Sequence, residues 1–413
     1  MREPIYDVAV AGAGPAGGHL ARLLARQGLK VLLAERLPSF EANAFSSAGT
    51  VREALVRYDL PESLVGSHWR SLEARCGGEA VRWEGTEPLG AVLDFGRLRR
   101  HLADEAASRG AVLALGCQAT GLGTEGLHQV LRLRRGQEQL EVRARVVVDA
   151  TGPARSLIRT LAPPAPRYLC GVGLEYLVEV PLEVWERYRD TLGFFLGSRW
   201  MPRGYSWIFP MEPGLLKVGA GRYTPGRPSG QASLKPCIER LLGEVLGMPQ
   251  APILDAHGGV LRYAQGLRDP YAAGGLLAVG DAVSTLNPLG GEGIRHAMEG
   301  VEIALPFLLA ELESPGRGFP GYARAMRRRF GHSWRWSEEL ATRRYLEDSD
   351  DRLDRMIRFL ARQDLAFVVD ILFGYNFGRA ARAAGPAWLK ARLARAGRRL
   401  MARLAPGRGR PEA

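Results

Sequence analysis

A chain of 413 residues, 46% hydrophobic and 24% charged, has enough material for two or three packed units and falls in the ordinary globular range, so disorder is not the default reading. Its four cysteines, Cys76, Cys117, Cys170 and Cys237, form no CxxC or Cys/His cluster, which argues against a metal site or a disulfide framework and fits a reducing, cytoplasmic compartment. The net charge of +12 gathers at the end: residues 376–413 hold ten Arg/Lys against Glu412 alone, a net +9. There Leu389, Leu393, Ala396, Leu400 and Leu404 recur at helical spacing with arginines on the other face. Two readings stay open, a basic amphipathic helix lying on an anionic membrane surface and a helix docked on the body by its leucines. No recognition motif accompanies the charge, so nucleic acid is not an expected partner. Apolar runs such as 365–369 are too short to cross a bilayer, and Met1 leads into a strand pattern without a signal-peptide segment, so neither a spanning helix nor export is expected.

In chain order, Ile5–Ala11 predicts a buried strand, Pro15–Gln27 a helix and Lys30–Glu35 a second strand. The turn between them, Gly12-Ala13-Gly14-Pro15-Ala16-Gly17, has the GxGxxG spacing: Gly12 for a tight turn, Gly14 for backbone approach to a pyrophosphate, Gly17 for close helix packing. The helix N-terminus offers unpaired N–H groups to the phosphates, with Ala16 beside it. Glu35, closing the second strand, stands where a carboxylate accepts ribose hydroxyls, and Arg36 follows it. A second copy of the spacing, Gly121-Leu122-Gly123-Thr124-Glu125-Gly126, precedes strand patterns at 127–133 and 141–148 instead of a helix and is expected to be a loop.

Residues 94–107 predict a helix with Leu98, Leu102 and Ala106 inward and no evident chemistry. Arg145–Gly152 predicts a third buried strand entering a glycine turn. Tyr205, Trp207 and Phe209 alternate along a strand and share one face, an aromatic wall that either packs the sheet or lines an apolar channel. Leu276–Gly280 predicts a strand ending in Gly280-Asp281, followed by Asn287-Pro288-Leu289-Gly290-Gly291-Glu292-Gly293-Ile294 and a helix towards Ala304. Asp281 can accept a ribityl hydroxyl, and the glycine-rich helix start can present N–H donors to the pyrimidine edge of a reduced flavin. The conjunction of this junction with the first GxGxxG points to FAD.

These stretches resemble the geranylgeranyl reductase family, within the flavoproteins related to aromatic hydroxylases. The resemblance covers about the first 330 residues, as for two-domain folds of this size. It rests on the GxGxxG with Glu35-Arg36, on Gly204-Tyr205-Ser206-Trp207-Ile208-Phe209-Pro210, and on Gly280-Asp281 through Ile294. It implies an α/β fold: a Rossmann-type FAD-binding domain over 1–165, with 46–93 contributing to the substrate side, an inserted antiparallel-sheet substrate domain over 166–262, and a return of the FAD domain over 263–330. A C-terminal helical region over 331–413 completes it. By the same resemblance, cofactor residues are Gly12, Gly14, Ala16, Gly17, Glu35, Arg36, Gly280, Asp281, Pro288, Gly290, Gly291, Gly293 and Ile294, and the substrate pocket holds Tyr205, Trp207 and Phe209. Family members pass a hydride from reduced FAD to isolated double bonds of prenyl chains.

Two departures stand out. Where the family often has a Cys-Gly-Gly-like segment, this chain has Phe45-Ser46-Ser47-Ala48-Gly49, and its Cys76-Gly77-Gly78 lies too far along to match. The family's Asp-Arg pair appears as Asp94-Phe95, with Arg97 as the substitute. The expected activity is FAD-dependent reduction of an isoprenoid lipid, with NADPH or a ferredoxin-like protein as electron donor and peripheral membrane contact through the tail. Alternatives on the same scaffold are a monooxygenase, hydroxylase or epoxidase, and a carotenoid cyclase-like enzyme. A halogenase fits less well, because no lysine occurs between Lys30 and Lys217. A non-enzymatic lipid-binding protein retaining FAD is the alternative of another class. Tyr205, Glu292 and His296 are weak candidates for a proton donor, with ordinary readings as a sheet hydroxyl, a helix-start carboxylate and a solvent-facing helix residue.

Overall fold

The computed structural model describes residues 4–42, 46–161, 166–224, 233–379 and 382–383; the leucines and most arginines of the basic tail lie outside these. Strand Tyr6–Ala11 is flanked in parallel by Val31–Ala34 on one side and Glu138–Asp149 on the other. Val112–Ala114 extends the sheet beyond the first and Leu276–Ala278 beyond the second, again in parallel. The central strands read as unbroken apolar runs, as strands covered on both faces must. Val8, Ala9, Val10, Val147 and Val148 are wholly buried. Helix Pro15–Arg26 packs between helices Phe95–Ala107 and Ile294–Glu313.

The second glycine copy departs from expectation. Cys117–Glu125 is a strand, paired antiparallel with His128–Arg135, and only Gly126, at φ +59°, serves as the turn. Glycine is tolerated in this half-exposed hairpin because the Arg132 side chain lies over Gly121 and Gly123 and supplies the packing their missing side chains do not.

A seven-stranded sheet carries the aromatic wall. Its order is Ile253–Ala264, Tyr168–Glu179, Leu215–Thr224, Gly204–Pro210, Thr191–Leu196, Ser71–Cys76 and Glu79–Trp83. Pairing is antiparallel except between Thr191–Leu196 and Ser71–Cys76, which run parallel. No hairpin joins those two strands, so nothing local dictates their direction. The sheet thus draws two strands from the 46–93 segment. A three-stranded sheet, Gly49–Val51, Gly90–Leu93 and Val65–Trp69, sits beside it.

Among the described residues of the C-terminal region lie helix Tyr322–Ala341, a π-helical turn Thr342–Glu347, and helices Asp350–Leu360 and Leu365–Leu372. Asp364 caps the last of these, accepting from the Phe367 N–H at 2.7 Å. Leu353, Ile357, Phe367 and Val368 bury themselves in one cluster with Trp69, Leu72 and Trp83, so these helices close over the outer strands of the second sheet.

Candidate active site

At the first strand-to-helix junction, Gly12 takes φ +104°, and a Cβ there would stand 2.4 Å from the Ala150 carbonyl oxygen. A Cβ on Gly17 would meet the Gly12 carbonyl at 1.8 Å, whereas one on Gly14 would meet nothing within 4 Å. The turn is therefore closed against the sheet and open at Gly14, where a ligand's phosphates can approach. The helix begins without a side-chain cap, so its first N–H groups remain for a ligand.

Glu35 is buried and ties the turn together. Its Oε2 accepts the Ala13 N–H at 2.9 Å and its Oε1 the Leu37 N–H at 3.0 Å. Arg99, buried in helix Phe95–Ala107, lies 3.3 Å from Glu35 Oε2 and donates to the Ala13 carbonyl at 3.3 Å. That helix, expected to carry no chemistry, supplies the cation that braces the turn. Arg97, the expected substitute, is exposed and pairs with Asp94 and Glu212 instead.

The two junctions face a cleft of about 620 Å³ whose walls include Gly14, Ala16, Arg36, Asp281, Gly291, Gly293 and Ile294. Cavities of this size suit a large organic ligand. Asp281 accepts from the Thr285 hydroxyl and the Leu286 N–H, each at 3.1 Å, and burial pushes its carboxyl up. Ser46 and Ser47, in place of the family's cysteine segment, line the same cleft. The buried Lys217 ammonium holds this segment by donating to the carbonyls of Ser46 at 2.9 Å and Leu93 at 3.0 Å. Cys76 lies in neither cavity and packs beside Asp354.

From the sheet, Tyr205 and Trp207 reach the cleft, and the Trp207 Nε1–H donates to the buried Glu175 at 2.8 Å. Phe209 does not; further along the same face, it packs edge-on against Phe194 at 5.3 Å. Tyr205 also lines a second cavity, of about 540 Å³, mostly apolar, with Phe194, Leu289, Tyr345, Met356 and Leu360 among its walls. Its charged lining is Glu73 and four arginines, Arg343, Arg344, Arg352 and Arg355. Three of these converge on the buried Asp348: Arg344 at 2.5 Å, Arg352 at 3.6 Å and Arg343 at 3.7 Å.

Between the two cavities runs the segment 288–291. Its carbonyls accept three tyrosine hydroxyls: Tyr223 on Pro288, Tyr345 on Leu289 at 2.8 Å and Tyr205 on Gly290 at 2.9 Å. Its N–H groups turn inward to Asn287, those of Leu289 and Gly290 to Oδ1 at 2.9 and 3.2 Å, that of Gly291 to the backbone carbonyl at 3.0 Å. The donors expected of Gly290 and Gly291 are therefore engaged within the loop. Those at the start of helix Ile294–Glu313 lie beside Gly293 and Ile294 at the cleft. Gly290 lines the apolar cavity, and Pro288 lines neither.

His296, weighed as a proton donor or as a solvent-facing helix residue, is buried at 1% exposure, edge-on to Trp334 at 4.7 Å. Its Nε2 lies 3.3 Å from Glu292 Oε2, which also accepts from Tyr375 at 2.8 Å and Arg295 at 2.6 Å. Burial would raise the Glu292 carboxyl, but His296 and Arg295 outweigh it and hold it at about 2, so it carries no proton to give at neutral pH. Burial pushes Tyr205 up to about 12, so its hydroxyl stays protonated.

Arg99 and Tyr345 each carry a local sequence signal. Arg99 lies one turn from the inward Leu102, and Tyr345 follows a helix whose Trp336 and Leu340 share its side. The family described as "FAD binding domain" matches residues 5–314. The digeranylgeranylglycerophospholipid reductase of Methanosarcina acetivorans is 31% identical over 324 residues, spanning 73% of this chain and 74% of the relative. The chain belongs to the geranylgeranyl reductase family of FAD-dependent oxidoreductases. A geranylgeranyl bacteriochlorophyll reductase-like protein from Thermoplasma acidophilum shares the fold of this family member with a TM-score of 0.78 at 24% identity, over 94% of this chain and 98% of the other. A flavin-dependent brominase shares it with a TM-score of 0.67 at 16% identity, over 90% and 94%. FAD is the cofactor of this geranylgeranyl reductase family member, and the open turn at Gly14, the braced Glu35 and the cleft before Asp281 fit it.

Proposed function

We propose that this flavoprotein reduces carbon–carbon double bonds of a prenyl chain carried on an anionic lipid. The observation that carries the reading is the apolar cavity that meets the cofactor cleft at Tyr205 and has arginines in its lining. Gly12, Gly14, Ala16 and Gly17 would hold the FAD pyrophosphate, Glu35 the adenosine ribose with Arg36 beside it, and Gly280-Asp281 the ribityl chain. The segment from Pro288 through Gly290 and Gly291 to Gly293 and Ile294 would border the flavin ring. Bound and reduced, FAD supplies a hydride. The protein's own part is to hold the chain, exclude water and fix the alkene beside the cofactor. Tyr205 and Trp207 would border the reacting segment, with Phe209 continuing their face beyond the cleft. Arg343, Arg344, Arg352 and Arg355 would face a phosphate headgroup, the chemistry named for the Methanosarcina relative.

NADPH visiting the cleft transiently, or a ferredoxin-like protein, would supply the electrons. The substrate would be taken at a membrane surface; no helix among the described residues is long and apolar enough to cross one. The test is anaerobic: photoreduce the flavoprotein, add a geranylgeranylated phospholipid, follow flavin reoxidation and weigh the chain by mass spectrometry. Reoxidation with a gain of two hydrogens per event is expected. A flavin that stays reduced until air is admitted, with oxygen then appearing in the product, would overturn the reading in favour of a monooxygenase.

A further inference from the structure

Three consecutive peptide planes, 288–289, 289–290 and 290–291, are engaged at both ends. Every carbonyl accepts a tyrosine hydroxyl and every N–H is donated to Asn287. The tyrosines come from different parts of the chain: Tyr205 from strand Gly204–Pro210, Tyr223 from strand Leu215–Thr224, and Tyr345 from the π-helical turn Thr342–Glu347. Their rings support one another, Tyr345 lying 5.7 Å from Tyr223, nearly parallel at 29°, and 5.9 Å from Tyr205. Asn287 is fully buried and is itself held, its Nδ2 donating to Ser337 Oγ at 2.9 Å and its N–H to the Glu292 carbonyl at 2.9 Å. A loop with this many glycines has high conformational freedom of its own, so these bonds are what restrains it.

The placement gives the lock its meaning. Leu289 and Gly290 wall the apolar cavity, Gly291 and Gly293 wall the cofactor cleft, and Tyr205 walls both. We infer that Asn287, Tyr223 and Tyr345 are positioning residues that make 288–291 a rigid partition, against which the prenyl chain stops and by which the double bond presented to the flavin is selected. The inference rests on the proposed assignment of the two cavities. Rigidity matters because successive double bonds of a prenyl chain are chemically alike, so only a fixed wall can distinguish them. The lock also keeps the three carbonyls turned to hydroxyl donors. Released, their lone pairs would disfavour the added electron density of a reduced flavin.

The experiment compares the FAD-loaded wild type with Tyr345→Phe and Tyr223→Phe, which keep the rings and remove only the donors, and with Asn287→Ala. Amide hydrogen exchange over 289–291 is the first readout, with the amides of Tyr6–Ala11 as the internal measure of intact folding. Loss of one such hydrogen bond is expected to speed exchange about tenfold in either tyrosine variant. The second readout is single-turnover reoxidation by a geranylgeranylated phospholipid. Tyr345→Phe should react about tenfold more slowly at saturating lipid, with unchanged lipid affinity and a mixture of reduced positions in the product. The third is the flavin midpoint potential, which should move to more negative values. Exchange at the wild-type rate in both tyrosine variants would overturn the lock. Faster exchange with an unaltered product and potential would overturn its positioning role. Should the wild type reduce no prenyl lipid, the proposed function falls, while exchange and potential together still decide for or against the lock.

Discussion

Gly280 packs directly on Ala16 beside the cofactor cleft: a Cβ on Gly280 would stand 2.6 Å from the Ala16 Cβ, and Gly280 has φ +64°. The two strand-to-helix junctions are thus in contact at a position that tolerates no side chain. Gly280→Ala combines left-handed strain with a clash and is expected to cost about 1–3 kcal/mol. It should lower flavin absorbance per purified chain well below the wild-type ratio. Full FAD loading in this variant would show that the junctions need not meet.

Glu35→Gln leaves an acceptor for one backbone N–H but removes the charge facing Arg99 across 3.3 Å in a buried site. Leaving a buried group short of its partner costs about 1–3 kcal/mol. FAD affinity should fall about tenfold to a hundredfold, measured by fluorescence titration of the apoprotein. An Arg99→Met variant should show a loss of the same order, and Arg97→Met should leave affinity unchanged.

These two predictions use residues of unequal visibility. The GxGxxG turn and the Gly280 junction were legible as strand-to-helix turns because backbone geometry demands glycine at fixed local spacing, whereas the bonds of Glu35 to the Ala13 and Leu37 N–H groups were not. Arg99 was not, because its function depends on a turn 86 residues earlier in the chain. The same holds for Asn287, Tyr223 and Tyr345, whose joint role exists only once three elements meet. The alternation of Tyr205, Trp207 and Phe209 did predict a shared face. It could not reveal that the cleft ends before Phe209, or that the sheet recruits Ser71–Cys76 in parallel. His296 misled for a related reason: a lone histidine on a helix reads as solvated until Trp334 is found edge-on to it.

His19 gives a pH dependence. Burial first, then the charges of Arg22, Arg26 and Arg57, lower its pKa from 6.5 to about 3. Its Nδ1 accepts from Arg22 Nε at 3.0 Å, a bond only the neutral ring can make. Because the folded value lies below the unfolded one, the unfolded chain takes up the proton first as pH falls. The stability contribution is complete above about pH 6.5 and is lost as pH drops from there towards 3, at up to about 1.4 kcal/mol per pH unit. Thermal midpoints measured between about pH 7 and pH 5 should fall for the wild type. A His19→Gln variant should show a flatter profile over that window.

The apolar cavity can be tested by filling it. Met356→Trp adds bulk to its wall while leaving every cofactor contact in place. Long prenyl chains should then bind about tenfold more weakly and short ones as before, with flavin content unchanged. Arg355→Ala should weaken phosphate-bearing lipids about tenfold and leave uncharged prenyl alcohols unaffected. Equal losses for both lipid types would remove the arginine rim from the headgroup role.

The cofactor cleft draws on the junctions at Gly14, Ala150 and Asp281, on sheet residues such as Gly173, Tyr205, Arg222 and Leu261, and on the helix start at Ile294 and Ala297. A growing chain therefore cannot complete it until residue 297 has left the ribosome, roughly tens of seconds after the first βαβ unit has emerged at typical rates of synthesis. Flavin capture then waits on the meeting of both sheets, and flavin retained by the purified chain certifies that the two have come together.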